Sequence, residues 1–354
     1  MPDAHVRAAL AELVRGRDLP RATMTSVLRE IMAGDAHDGQ LGALLMGLAA
    51  KGETSEEITG AAMAMREAMT RVVPVADELV DTCGTGGSGV PRRNVSTAVS
   101  IVLAACGVKV AKHGNRAASS RSGSADVLEA LGVGIQASAE TVATCIDEVG
   151  VGFLFAAALH PAMKHAMPVR KALGVRTLFN LLGPLTNPAG ATRQLLGVFD
   201  PARCMPLASA LSALGSTRVL VVHGFRSGVT AAQDAPWGID DLSPEGESLV
   251  AHAHHGAVER WVLTPEQAGV ERFGWEEIAG GDPADNAKAL EAVLQGARGY
   301  YRDAVVYSGA AGLLVAGEQG LQALPELAKR IAAALDDGSA AATLAALVKA
   351  SNPA

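Results

Sequence analysis

Aromatic residues are scarce in this chain: Phe, Trp and Tyr together make up 3% of its 354 positions. That scarcity, with a net charge of -7, argues against a basic groove that stacks nucleic-acid bases on rings, so no nucleic-acid partner is expected. Cysteine is sparse as well. Cys83, Cys106, Cys145 and Cys204 lie far apart without a CxxC pair, and a chain of this size does not need disulfide staples. Reduced thiols in a cytoplasmic protein are the expectation. No apolar run approaches the roughly 18 residues of a membrane span; Val149 to Leu159 is among the longest. The opening MPDAHVRAAL lacks a basic-then-apolar signal, so neither export nor a membrane partner is expected. Fixed-period repeats and low-complexity linkers are also missing.

What is present is ample core material, with 49% apolar residues, and enough basic residues, 30 in all, to build one local anion site. From Val6 to about Val73 apolar residues recur at three and four residue spacing, in SVLREIM, QLGALLMGLAA and ITGAAMAMREAM, which predicts a helical region. Thr54 and Glu57 form a capping box for the third of these helices, and Gly34 and Gly52 end the two before it. After Pro74 the pattern changes. Short apolar runs ending in glycine-containing loops, ELVDTCG, VKVAKHG, TRVLVVHG and AVVYSGAA, alternate with longer helical patterns, as in a parallel sheet flanked by helices. The fold class is therefore α/β: a small all-helical domain at 1–73, joined by helices from about 165–188, and a large α/β domain at 74–354 with a mainly parallel central sheet. The segment HPAMKHAMPVRKALGVRTLFNLLGPLTNP, His160 to Pro188, has prolines at both ends and within, so the chain is expected to leave the sheet there and cross to the helical region. A site in the cleft between the two parts follows.

Two loops carry the chemistry. DTCGTGGSG, Asp81 to Gly89, has four glycines within eight residues of the end of an apolar run, so its backbone can turn sharply and approach an anion; a tight strand-to-helix turn would look the same. KHGNRAASSRSG, Lys112 to Gly123, follows the apolar run VKVA and supplies cations and hydroxyls before a Ser-capped helix, although a solvated charge run is the plainer alternative. Between the loops, Asn94, Ser96 and Thr97 crowd the start of the apolar helix AVSIVLAAC. They are caps or, because one cap needs only one such group, contacts to an anion or a metal. Asp240 and Asp241 are adjacent hard-oxygen donors in the turn GIDDLSP, suited to Mg2+ beside phosphate. His252, His254 and His255 lack a companion cysteine or carboxylate spacing and read as an exposed polar strand or loop.

Taken in order, GTGG (Gly84 to Gly87), NVST (Asn94 to Thr97), KHGNR (Lys112 to Arg116), SGSADVLEALG (Ser122 to Gly132), HPAMK (His160 to Lys164) and RTLFNLLGPLTNP (Arg176 to Pro188) resemble the anthranilate phosphoribosyltransferase family over nearly the whole chain. The resemblance implies an α/β phosphoribosyltransferase related to nucleoside phosphorylases, usually a homodimer through its helical domains. By position, Gly84, Gly87, Ser88, Asn94, Val95, Ser96, Thr97, Lys112, His113, Gly114, Asn115, Arg116, Ala117, Ala118, Ser119, Ser120 and Ser124 would hold 5-phosphoribosyl 1-pyrophosphate. Ser96, Asp240 and Asp241 would hold Mg2+. Anthranilate would lie near Gly84, Asn115 and Arg170, with His113 and His160 as neighbours and Pro184 on its access route.

Three departures from the family pattern stand out. Ser88 replaces a usual Asp and Arg92 a usual Thr, which moves the local charge by +2; the expectation is that Arg92, with Arg93, contacts the pyrophosphate directly and partly replaces neutralisation by metal. Asp240–Asp241 is shorter by one methylene than the usual Asp-Glu, and Phe225 to Trp237 is longer than the usual connection. The implied reaction displaces pyrophosphate from C1 of the ribose by the amine of anthranilate, with no acid or base residue assigned. Lys112, Arg116, the metal system and the glycine loop would stabilise charge, and Arg170 would meet the anthranilate carboxylate. A nucleoside phosphorylase-type enzyme, or a non-catalytic nucleic-acid-binding paralogue, are the competing readings.

Overall fold

A computed structural model of the chain describes residues 3–117, 121–231 and 238–353. Its N-terminal region consists of helices α1 (Ala4–Leu13), α2 (Arg21–Ala33), α3 (Asp38–Lys51) and α4 (Ser55–Ala68). As expected, Gly34 ends α2 in the left-handed conformation (φ 85°) and Gly52 ends α3. The capping box is formed: the Glu57 amide donates to Thr54 Oγ1 (3.3 Å) and the Thr54 amide to Glu57 Oε2 (2.8 Å). Glu57 is wholly buried, a costly place for a carboxylate unless it is paired. It is paired: Leu19 N donates to Oε1 at 2.9 Å and Lys51 Nζ to Oε2 at 3.0 Å.

The body follows as β1 (Val80–Gly84), α5 (Val95–Ala105), β2 (Val110–Gly114), α6 (Ser124–Ala130), α7 (Ala139–Thr144), β3 (Val151–Phe155), α8 (Ala156–Leu159), α9 (Met167–Leu173), α10 (Leu178–Leu182), β4 (Arg193–Gly197), α11 (Cys204–Ala213), β5 (Arg218–Phe225), β6 (Gly238–Ile239), β7 (Ser248–His254), β8 (Ala257–Leu263), α12 (Pro283–Leu294), α13 (Tyr300–Ala316), α14 (Leu324–Asp336) and α15 (Ser339–Ser351). Among the described residues these strands form one eight-stranded sheet in the order β3-β2-β1-β4-β5-β7-β8, with β6 beside β5. The five strands β3, β2, β1, β4 and β5 run parallel, and β6, β7 and β8 are antiparallel additions. The chain leaves the sheet between β3 and β4, yet the sheet is unbroken because β4 returns beside β1.

Both faces of the central strands are covered, which is why TRVLVVHG reads as a continuous apolar run, whereas the edge strand β8 is largely exposed. Leu195, Leu220, Val222 and Val250 pack with α5 and α12–α15, while Leu196, Val219, Val221, Leu249 and Ala251 pack with α11 in a core that also takes in α1–α4, α9 and α10. Helices α9 and α10, from the 165–188 segment, pack against α3 and α4. No single helix among the described residues is long and apolar enough to cross a membrane.

Two expectations are corrected. AVVYSGAA is not a strand; it lies inside α13, a 17-residue helix buried along nearly its whole length. A short apolar run has no periodicity to separate a central strand from a helix buried all round. His252 is not exposed either. It is buried on β7 with its ring stacked on Trp261 at 3.8 Å between centroids, whereas His254 is half-buried beside Glu318 Oε2 (3.1 Å) and His255 is an exposed turn residue.

Helices α2 and α4 approach so closely that a Cβ at Gly60 would collide with the Arg21 carbonyl, and Thr25 Oγ1 donates to the Gly60 carbonyl across the gap at 3.0 Å. Gly60→Ala is expected to lower stability by about 1–3 kcal/mol through overpacking. At Gly47 the added methyl would meet only Leu13 at 3.4 Å, so Gly47→Ala should be neutral or gain up to about 1 kcal/mol. Urea unfolding of the two variants checks the contrast.

Candidate active site

The neighbours of β1 are β2 on one side and β4 on the other, so the strand order reverses at β1. At such a switch point the connections leave in opposite directions and open a crevice beyond the carboxyl ends of the strands. A cavity of about 1070 Å³ lies there, lined by the ends of β1, β2 and β4, the glycine loop, the start of α5 and the segment from His160 to Thr186. In the loop, Gly86, Gly87 and Gly89 have φ of 67°, 86° and 73°, values that side chains resist. A Cβ at Gly87 would also lie 2.6 Å from the Arg176 guanidinium, which stacks on the Phe199 ring at 3.9 Å.

The floor is a buried polar network. Asp81 is fully buried on β1, and its carboxylate accepts from His113 N (3.0 Å), Asn187 Nδ2 (3.0 Å) and Gln194 Nε2 (3.3 Å). Burial pushes its carboxyl above the usual range, while the Asn187 amide and the Lys112 charge oppose that push. Lys112 is buried too, donates to the Thr82 carbonyl at 2.7 Å, and is drawn down by desolvation against the pull of Asp81, Cys83 and Asp241. Its side chain also lines the cavity. The cysteines are free, and Cys83 accepts from Gln194 Nε2 at 3.1 Å as a packed small residue.

Above the floor sits the acidic pair. Asp241 is held above its usual range by burial, with Arg92 as the first opposing charge. Ser308 Oγ (3.2 Å) and the Leu242 amide (2.9 Å) both donate to its Oδ1. The backbone of this segment lies directly on two strand ends: a Cβ at Gly197 would collide with the Asp240 carbonyl, and one at Gly224 would lie 2.6 Å from the Asp241 carbonyl and from Ser243 N. Asp240 Oδ1 accepts from the Arg92 guanidinium at 2.6 Å, both side chains being nearly buried. Arg92 is thus directed to Asp240, while Arg93 lies over the Tyr301 ring at 5.4 Å. Ser96, Asp240, Asp241 and Ser308 line the same cavity. The all-oxygen donor set and the incompletely neutralised buried carboxylate fit a hard divalent cation.

The α5 start is less a cap than a junction. Asn94 makes no side-chain cap; its Oδ1 accepts from Asn286 Nδ2 (2.9 Å), its amide nitrogen donates to the Ser122 carbonyl (3.5 Å), and its carbonyl accepts from Tyr301 OH (3.2 Å). Thr97 is buried with its hydroxyl unpartnered among the described residues, and Val95 is buried as well. In the second loop Gly114, Asn115 and Ala117 line the cavity with Ser124 at the start of α6. Only glycine fits at 114, where a Cβ would strike Ser124 Oγ and the Phe153 ring. Arg116 is neutralised locally, by Glu129 (2.8 Å) and Asp126 (3.0 Å) on one face of α6. Ala118, Ser119 and Ser120 lie outside the described residues, as do residues 232–237 of the long connection after Phe225.

In the same cavity, Arg170 lies over the Phe179 ring at 5.3 Å with Met167 Sδ beside it at 3.7 Å. Among the described residues no carboxylate pairs with this guanidinium, and desolvation lowers its affinity for the proton. His113 and His160 are both buried, with Nε2 atoms 3.3 Å apart, and Pro184 lines the same wall. Asp81, Asn187, Gln194 and Arg176 were not among the sequence-derived site residues. Asn187 and Arg176 stand at the two ends of RTLFNLLGPLTNP, the signal that pointed to them.

The relatives of the chain share this plan. Residues 7–69 match the glycosyl transferase family, helical bundle domain, and residues 76–341 the glycosyl transferase family, a/b domain. The anthranilate phosphoribosyltransferase of Anaeromyxobacter dehalogenans strain 2CP-C is 49% identical over 346 residues, covering 98% of both chains. The chain belongs to the anthranilate phosphoribosyltransferase family. The Methylocella silvestris member is 47% identical, covering 99% of this chain and 96% of its own. Among solved structures, the anthranilate phosphoribosyltransferase of Thermus thermophilus superposes with a TM-score of 0.87 at 43% identity, covering 96% of this chain and 98% of its own. The Saccharomyces cerevisiae enzyme, in complex with PRPP and Mg, gives 0.85 at 25% identity, with 99% and 98% covered.

Burial lowers His113 from 6.5 to about 3, with His160 adding to the shift, and lowers His160 to about 4. Both folded values lie below the unfolded one, so the unfolded chain binds more protons as pH falls beneath 6.5. Stability is fully present above that pH and declines toward the folded values, by up to about 1.4 kcal/mol per pH unit for each histidine. Urea unfolding between pH 7 and about 5 should show a shallower decline in His160→Gln.

Proposed function

We propose that this chain transfers the 5-phosphoribosyl group of 5-phosphoribosyl 1-pyrophosphate to the amine of anthranilate, releasing pyrophosphate. The observation that carries the reading is Arg170: a desolvated guanidinium with no carboxylate partner among the described residues shares one cavity with a glycine-rich anion loop and an acidic pair. Such a cation is matched by an aromatic carboxylate bound bidentately, and Phe179 and Pro184 supply apolar wall for its ring. Family membership and the PRPP and Mg complex of the yeast relative support the same assignment.

In this reading the backbone amides of Gly84 to Ser88 and the start of α5 cradle the pyrophosphate, and the second loop meets the ribose phosphate. Ser96, Asp240 and Asp241 would hold Mg2+, which when bound supplies positive charge to the leaving group. The C1–oxygen bond to pyrophosphate breaks as the amine nitrogen bonds to C1, and the amine then loses a proton to water. Neutral His113 and His160 add no positive charge to the cavity as charge builds at C1. The site's main tasks are alignment and neutralisation of the departing charge.

The homodimer and the cytoplasmic location belong to the same reading; half-exposed Met46 on α3 and Met63 on α4 supply apolar surface for the former. So does the division into a helical unit of 1–73 joined by 165–188 and an α/β unit of 74–354.

Mixing the protein with 5-phosphoribosyl 1-pyrophosphate and Mg2+ should consume anthranilate, followed as loss of its fluorescence; no consumption across a range of divalent metals overturns the proposal. Arg170→Gln should raise KM for anthranilate by about 10- to 100-fold, the value of a charge-assisted hydrogen bond, and leave KM for the phosphoribosyl donor within about twofold. Steady-state kinetics in both substrates reads this split.

A further inference from the structure

The Arg92 guanidinium reaches across 148 residues of sequence to Asp240 Oδ1 at 2.6 Å, in a site where the side chains of both are only 12% and 11% exposed. It is the first charge offsetting the buried Asp241 as well. One guanidinium thus serves two carboxylates, leaving the cluster one negative charge in excess. The Arg92 backbone is pinned: it forms an isolated bridge with Ala279, Arg93 N donates to the Ile278 carbonyl (3.0 Å), and Gly280 N donates to the Pro91 carbonyl (3.3 Å). Its side chain is held less completely. One terminal nitrogen makes the contact to Asp240 and a long one to Ser88 Oγ (3.4 Å), while the buried Nε has no hydrogen-bond partner among the described residues. A buried donor left over on a guanidinium that faces an anion cavity is what a phosphate oxygen pair would satisfy.

We propose that Arg92 is a resident counter-cation of the acidic pair that competes with a divalent ion for Asp240 and is drawn off it by pyrophosphate, coupling metal binding to binding of the phosphoribosyl donor. This rests on the reading that Asp240 and Asp241 hold the metal. Removing Arg92 leaves a buried carboxylate uncompensated, and a dication is the natural replacement. The Arg92 side chain then carries a second duty, since its fork matches two oxygens of the leaving group.

The test titrates Mn2+ into the full chain by electron paramagnetic resonance, without any phosphate compound, for the wild type, Arg92→Thr, Asp240→Asn and the double variant. Arg92→Thr should bind Mn2+ at least about tenfold more tightly than wild type, the effect of deleting one positive charge beside a dication, and the gain should vanish in the Asp240→Asn background. Without metal Arg92→Thr should melt below wild type, and Mn2+ should raise its melting temperature more than that of wild type; Arg92→Met serves if the threonine variant does not fold. In the presence of EDTA, calorimetry should show inorganic pyrophosphate binding Arg92→Thr at least about tenfold more weakly than wild type. If Asp240→Asn weakens Mn2+ binding but Arg92→Thr leaves it unchanged or weaker, the competition is overturned and the metal assignment stands. Should Asp240→Asn leave Mn2+ binding unchanged in both backgrounds, the metal assignment falls and takes the competition with it. Unchanged pyrophosphate affinity overturns the coupling.

Discussion

The site depends on one buried carboxylate. Asp81 accepts hydrogen bonds from the backbone of β2, from Asn187 and from Gln194, three points that the chain reaches by separate routes. A charge this deep is tolerable only while its partners stay in place, so the network fixes β1, β2 and the segment before β4 relative to one another. The two loops leave from the ends of β1 and β2. Their separation is therefore set beneath the cavity, by a group outside its lining.

Electrostatics is layered on that frame. Lys112 and Asp81 oppose each other in the floor, Arg92 faces Asp240 and Asp241, and Arg170 has no carboxylate partner among the described residues. The first arrangement is internally compensated, the second sets one guanidinium against two carboxylates, and the third has no opposing charge. An anion entering the cavity meets one cation that costs little to engage and others that must first exchange partners, which gives the two substrates different demands on the same surface.

Much of this was legible in the sequence because it is written locally. The Thr54–Glu57 box and the glycine helix ends rest on residues within a few positions of one another and are where the pattern placed them, whereas β1 and β2 run on to Gly84 and Gly114, into the expected loops, and the helix expected from Ala98 begins at Val95. What was hidden is non-local or two-valued. Arg92 and Asp240 are 148 residues apart and Asp81 and Gln194 are 113 apart, with no periodicity to join them; Arg116 carries the charge of an anion binder but finds Asp126 and Glu129 on α6 first. The segment within α13 failed for the other reason, since an apolar run buried on every side has no face to reveal its period.

Gly197 and Gly224 let the Asp240–Ser243 backbone rest on the ends of β4 and β5 with no room for a methyl group. The course of this segment is consequently inherited from the strands beneath it, whatever side chains it carries. Descent can lengthen or shorten an acid at position 241, changing how far its oxygens reach, without moving the peptide that bears them. Variation between aspartate and glutamate there is thus a change of reach on a fixed mount, available to evolution one substitution at a time. A change at either glycine has no such freedom, and the two should prove far slower to drift than the acids they support.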